Sequence, residues 1–276
     1  MARIVLGGSV GKGCNNAPAD VAVVRQRLRT LGFHWVTDTG AGDQDDLVQT
    51  IKLFQAICKG QTQLTEGGGV DGKITRGGFT HQWLAAENAP GWVKIYSRNG
   101  TGWCTTAHRY VIDNSGTPYT ESNGGYGTTW ILDVIEKAGL AYSSNWQPDY
   151  PLMMVRDCAK TKGGNAKPVH SSHQTGLDID LRLPLKPVAG LPSALWTYLG
   201  TKAQRVVHLY REAVEAQLKA LVTQPLVKEI FYEDDTASPG QTKLHEKWSK
   251  VKPEPNHANH IHVRIKPPLM VPGQIT

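Results

Sequence analysis

Two short stretches concentrate the side chains that could do chemistry. HSSHQTGLDID, residues 170–180, holds His170, His173, Asp178 and Asp180, and HANHIH, residues 257–262, holds His257, His260 and His262. The two motifs HSSH and HANHIH span ten positions of 276 and carry five of the ten histidines, where chance alone gives roughly 0.4. Neutral imidazole and carboxylate are ligands for zinc, and a catalytic zinc takes three protein ligands and leaves a fourth position for water. His173 and Asp180 lie seven residues apart, with Gly176 supplying a turn between them. In an extended strand, residues two apart share a face, so Asp178, Asp180 and Arg182 point one way and Ile179, Leu181 and Leu183 the other. The same alternation in HIHVRIK, 260–266, sets His260, His262, Arg264 and Lys266 against Ile261, Val263 and Ile265. If these two strands are neighbours, His173, Asp180 and His262 can meet one ion. Asp178 then reads either as an acceptor that fixes a histidine tautomer or as a plain strand residue. Arg156 and Asp157 are weaker candidates for contact with a substrate.

The elements that must carry these residues are mixed. The spacing predicts helices over 20–31, with Asp20 as cap and Gly32 as stop, over 45–58, and around Phe79–Leu84. A glycine-rich turn, GGGVDGKIT, precedes the third. Residues 128–140 read as a helix ending near Gly139, and 203–222 as one amphipathic helix with Val207, Tyr210, Val214, Leu218 and Leu221 on one stripe. LVKEIFY, 226–232, reads as a strand. The fold class is α+β, with a three-helix unit over 1–88, a linker or bridging segment over 89–117, and a mixed domain over 118–276.

Composition narrows the classes. Net charge is +6 with basic residues dispersed, so an anionic polymer is a plausible partner, while no clustered basic patch points to nucleic acid. No run of eighteen apolar residues predicts a membrane span. The apolar core of MARIVLGGSVGKGCNN is about four residues, below the seven or so of a cleavable leader. Four cysteines, Cys14, Cys58, Cys104 and Cys158, form no CxxC pair; they read as buried free thiols or, in an oxidising space, as Cys14–Cys58 and Cys104–Cys158 bridges.

Two resemblances sharpen this reading. VVRQRLRTLGF, IKLFQ and VDGKIT resemble the peptidoglycan-binding domain that accompanies many cell-wall hydrolases. SxHxxGxDxD followed by HxH resembles the LAS metallopeptidases, which implies a catalytic domain over 118–276 with a central antiparallel sheet. The longer HSSHQTGLDIDL and HANHIH, with GYGTTWILDVIEKAG and Gly163-Gly164, look most like the penicillin-insensitive murein endopeptidases, over about residues 118–268. The resemblance implies zinc held by His173, Asp180 and His262. It implies histidine in place of glutamate for proton transfer, His257 or His260 as base, with His170 orienting the substrate or stabilising the transition state. The implied substrate is peptidoglycan, cut at the D-alanyl–meso-diaminopimelate cross-link. An L-alanyl–D-glutamate endopeptidase and a D,D-carboxypeptidase are the rival enzymes. A non-catalytic wall-binding protein and a metal-dependent nuclease are the rival classes. The short leader core implies synthesis in the cytoplasm and action in the periplasm or cell wall, after leaderless secretion or lysis. The setting is either a phage-type endolysin or a type VI secretion effector, an antibacterial toxin with an immunity protein or a secretion-machine component as partner.

Overall fold

The structure, a computed structural model, describes residues 4–65, 67–105, 125–145, 150–165, 171–186 and 201–273. His170 and the tip of the expected bridging segment lie outside them.

The N-terminal part holds α1 (Pro18–Thr30), α2 (Asp45–Cys58) and α3 (Phe79–Ala85), with a two-stranded antiparallel ribbon of β1 (Val10–Gly11) and β2 (Lys73–Ile74). Proline at the first turn starts α1, because its missing N–H is one that the helix leaves unbonded anyway. Asp20 does not cap this helix. Its carboxylate accepts from the N–H groups of Gly7 and Gly8, at 2.8 Å each, and so ties down the segment before β1. Gly32, at φ +95°, reverses the chain after α1. Arg25, 1% exposed, organises the long α1–α2 connection: it donates to Thr37, Ala41 and Gln44 and pairs with Asp46 at 2.9 Å.

Residues 92–105 form three short strands joined by turns. β3 (Trp92–Lys94) pairs with β6 (Tyr126–Thr128). β4 (Asn99–Gly100) and β5 (Trp103–Thr105) lie at one end of the main sheet, which also takes β7 (Met153–Val155), β8 (Asp178–Arg182), β9 (Val227–Phe231), β10 (Val251–Lys252) and β11 (His260–Ile265). Strand order is β10-β9-β11-β8-β7-β5-β4. The centre, β9-β11-β8-β7, is antiparallel as expected, whereas the β10–β9 and β5–β7 pairs are parallel. One face is apolar: Ile179, Leu181, Ile261, Val263 and Ile265 join a single core with residues of α4 (Thr129–Ser144) and α6 (Arg211–Val222).

Two helices differ from the sequence expectation. α4 runs past Gly139, which is not a stop. A Cβ there would lie 2.5 Å from the Thr101 carbonyl oxygen and 2.7 Å from Trp103, so glycine is required by close approach. The expected helix over 203–222 is two: α5 (Lys202–His208) and α6. Leu209 and Tyr210 turn extended instead, since backbone partners outside the helix compete for them. Leu209 bridges Leu185, Tyr210 N–H donates to Pro184 O, and Lys186 N–H donates to His208 O. Val207, expected on the buried stripe, is 61% exposed.

The N-terminal helices pack on the rest through an aromatic seam. Phe33 stacks on Trp92 at 6.0 Å, Trp35 meets the same ring edge-on, and Trp83 meets Trp130 at 5.4 Å. Beyond β11 the chain crosses back to these helices: Glu87 N–H donates to Val271 O, and Asn88 bonds Leu269 O and Val271 N–H. All four cysteines are free, the first of the two readings, and not bridged; Cys58, Cys104 and Cys158 are buried while Cys14 is half-buried, and burial raises the Cys58 and Cys158 thiols.

Candidate active site

β8 and β11 are direct neighbours, and their register sets His262 opposite Asp180, His260 opposite Arg182 and Arg264 opposite Asp178. The polar faces therefore meet on the side of the sheet away from the core. His173 enters from the loop before β8. It is fully buried and sits in the left-handed region at φ +61°, which a non-glycine residue adopts only when its surroundings hold it there. Gly176, three residues on, is also left-handed (φ +70°), and a Cβ there would reach 2.8 Å from the Gly127 Cα. The loop is pinned at this point by Thr128, whose N–H and hydroxyl both donate to Gly176 O at 3.1 Å while its hydroxyl oxygen caps α4.

Three of the expected ligands converge. His173 Nε2 lies 3.3 Å from Asp180 Oδ1 and 3.3 Å from His262 Nδ1, and His262 Nδ1 lies 2.9 Å from Asp180 Oδ1. Nitrogen and oxygen ligands at about 2.0–2.1 Å from a tetrahedral zinc stand about 3.3 Å from one another. The three atoms thus have the chemistry and nearly the edge lengths of one face of such a tetrahedron, and the residues present fit the ion. Burial alone would raise Asp180, but the charges and hydrogen bonds of His173 and His262 hold it well below the usual carboxylate range.

Asp178 is a support, not a bystander. Its buried carboxylate accepts from Arg264 Nε at 2.9 Å and from the His173 backbone N–H at 3.3 Å, and faces His262 Nε2 at 3.3 Å. With Nε2 facing Asp178, Nδ1 is the ring nitrogen turned toward His173 and Asp180. Burial opposes charge on His262, yet hydrogen bonds and charge from Asp178 and Asp180 push it up to about 9 in the metal-free protein.

His257 and His260 stand beside this cluster. His257, His260 and His262 form a second group able to hold a metal, sharing His262 with the first. The His257 ring lies 4.8 Å from that of His260 and 5.7 Å from Phe231. His257 is half-buried, with Nδ1 3.0 Å from Pro255 O. His260 Nε2 lies 3.7 Å from Asp180, and burial lowers its imidazole to about 4; burial lowers His257 also. Both are therefore neutral bases near pH 7. Arg156 and Asp157 form an ion pair at 3.4 Å, and their backbone brackets Asp180: Arg156 N–H donates to Asp180 O and Asp180 N–H to Asp157 O. Arg264 and Phe231, which flank His262, were not singled out from sequence. The alternating face of HIHVRIK carries Arg264, but nothing in LVKEIFY marks Phe231.

Comparison with known sequences identifies the family. Residues 119–272, more than half of the chain, match the sequence profile of the penicillin-insensitive murein endopeptidases. A penicillin-insensitive murein endopeptidase of Haemophilus influenzae is 30% identical over 159 residues, 53% of this chain and 53% of that protein, so the match spans about half of the relative's length. With His173, Asp180 and His262 gathered at the β8–β11 junction inside the matched region, the chain belongs to the penicillin-insensitive murein endopeptidase family.

Proposed function

We propose that this protein is a zinc-dependent endopeptidase that hydrolyses the D-alanyl–meso-diaminopimelate cross-links of peptidoglycan. The observation that carries the reading is the trio of donor atoms 2.9–3.3 Å apart on His173, Asp180 and His262. These three residues would hold the ion. When bound, zinc lowers the pKa of a coordinated water toward neutrality and polarises a carbonyl.

The chain's own residues account for the rest. Asp178 fixes the His262 ring and tautomer, and Arg264 keeps Asp178 charged and in place. A neutral imidazole beside the reacting water takes its proton and returns it to the departing amine. His260 and His257 are both neutral and both border the site, and no glutamate is needed for that step. His170, which lies outside the described residues, is proposed to orient the substrate.

The three N-terminal helices are proposed to bind the wall, concentrating the enzyme on an anionic polymer that a +6 chain attracts. Among the described residues no helix is long and apolar enough to cross a membrane. Action in the periplasm or cell wall, as a phage-type endolysin or as a secreted effector with an immunity partner, is proposed from the family match.

The test is digestion of purified sacculi by metal-free and zinc-loaded protein, with mass spectrometry of the fragments. Release of cross-link-derived monomers only with metal supports the reading. New N-terminal D-glutamate, loss of terminal D-alanine without cross-link cleavage, or no soluble product with zinc present would overturn it.

A further inference from the structure

The N-terminal helical part touches the site. Where the chain leaves α2, residues 61–64 run along the loop that presents His173. Gln61 O accepts from the Thr175 hydroxyl at 2.6 Å, and Thr62 O accepts from the Gln174 N–H at 3.2 Å. Leu64 N–H donates to Gln174 Oε1 at 2.8 Å. Gln174 bonds within the peptidase part as well: its Nε2 donates to Ser171 O at 3.0 Å and its carbonyl accepts from Gly164 N–H at 2.8 Å. Gly163 backs onto Leu53 of α2, with room only for glycine: a Cβ would lie 3.0 Å from both leucine methyls and 2.7 Å from Gln174 O. Gln174 and Thr175 are both buried.

Five hydrogen bonds therefore converge on the two residues that follow His173, three of them from the helical part. Holding a non-glycine residue in the left-handed region costs on the order of 1–2 kcal/mol and persists only where neighbours over-determine it. The His173 backbone N–H itself donates to the Asp178 carboxylate at 3.3 Å. The backbone immediately after His173 is thus held in large part from outside the sheet.

We propose that Gln174 is a positioning residue through which the N-terminal helices hold His173 in ligating orientation, so that these helices are part of the metal centre's scaffold besides any role in wall binding. This rests on reading His173 as a metal ligand. Neither Gln174 nor Thr175 touches the reacting atoms.

The test uses the full chain. Zinc affinity is measured by competition with a chromophoric chelator, and the ligand field is read from the visible absorption of the cobalt-substituted protein. Wild type, His173→Ala, Gln174→Ala, Gln174→Glu, Thr175→Val and Thr175→Ser are compared. Gln174→Ala is expected to weaken zinc binding about tenfold or more and to alter the cobalt spectrum, as loss of a residue that orients a ligand does. Gln174→Glu, which keeps the acceptor for Leu64 N–H, recovers part of the loss. Thr175→Val behaves like Gln174→Ala, with Thr175→Ser near wild type, and this pair decides the matter should Gln174→Ala fail to fold. Wild-type affinity and spectrum in folded Gln174→Ala, or in Thr175→Val, would overturn the proposal. Wild-type affinity in His173→Ala would instead overturn the ligand assignment beneath it.

Discussion

His173, Asp180 and His262 are worth more together than singly, and their removal should show this. His173→Ala or Asp180→Asn is expected to reduce bound zinc from one equivalent to near none and to lower sacculus digestion by at least about 1,000-fold, as a missing metal-activated water demands. Metal analysis of the dialysed variants alongside a turbidity assay checks both. Asp178→Asn keeps the shape but weakens the acceptor for His262 Nε2, and is expected to lower zinc affinity or activity by about 10–100-fold; chelator competition measures it. Asp180 and His262 were legible as candidates because imidazole and carboxylate at period-two spacing name both the chemistry and the face, and His173 was legible by its clustering with Asp180. Asp178 was visible but ambiguous, since only the register of β8 against β11 shows which ring it meets. The left-handed φ of His173 and the anchoring by Gln61, Thr62 and Leu64 had no signal at all, because they depend on contacts between residues about 110 apart.

At the scale of elements, the loop between His173 and β8 works only as long as Gly127 and Gly176 can touch. Gly176→Ala meets both a left-handed φ of +70° and a backbone contact at 2.8 Å, and is expected to cost about 2–4 kcal/mol in unfolding free energy. Urea denaturation of the variant against wild type gives the figure. β8 and β11 were readable from alternation, and α2 from its unbroken 3.6-residue pattern, because local burial dictates both. Where a segment has competing backbone partners, local pattern is a poor guide. The stretch 203–222 carries a continuous apolar stripe, yet Leu185 and Pro184 capture Leu209 and Tyr210 and split it. Gly139 shows the same limit in reverse: it looks like a stop and is a contact.

For the whole molecule, metal and pH act on stability in opposite places. Saturating zinc at 100–1,000 times its dissociation constant adds roughly 3–4 kcal/mol, so a strong chelator is expected to lower the midpoint of thermal unfolding by about 5–10 °C. Differential scanning calorimetry tests this. Asp46 lies in the first turn of α2. Burial alone would raise it, but hydrogen bonds from Arg25 and Thr37 bring it down to about 2. A carboxyl with a folded pKa below its unfolded value near 3.8 contributes stability that is complete above about pH 4 and is lost as pH falls toward 2. Asp46→Asn should therefore flatten the acid limb of the stability curve between pH 4 and 2. Near neutrality it should cost about 1–3 kcal/mol, because Arg25 stays buried with fewer charged partners.

The aromatic seam has an optical consequence. The Trp83 and Trp130 rings lie 5.4 Å apart and tilted by 60°, one on α3 and the other on α4. Indole transitions at that distance couple and produce a paired signal of opposite sign in circular dichroism. The association of the N-terminal helices with the peptidase part thus carries its own built-in spectroscopic label. Loss of that couplet, with the helical far-ultraviolet signal retained, would mark separation of the two parts without unfolding of either.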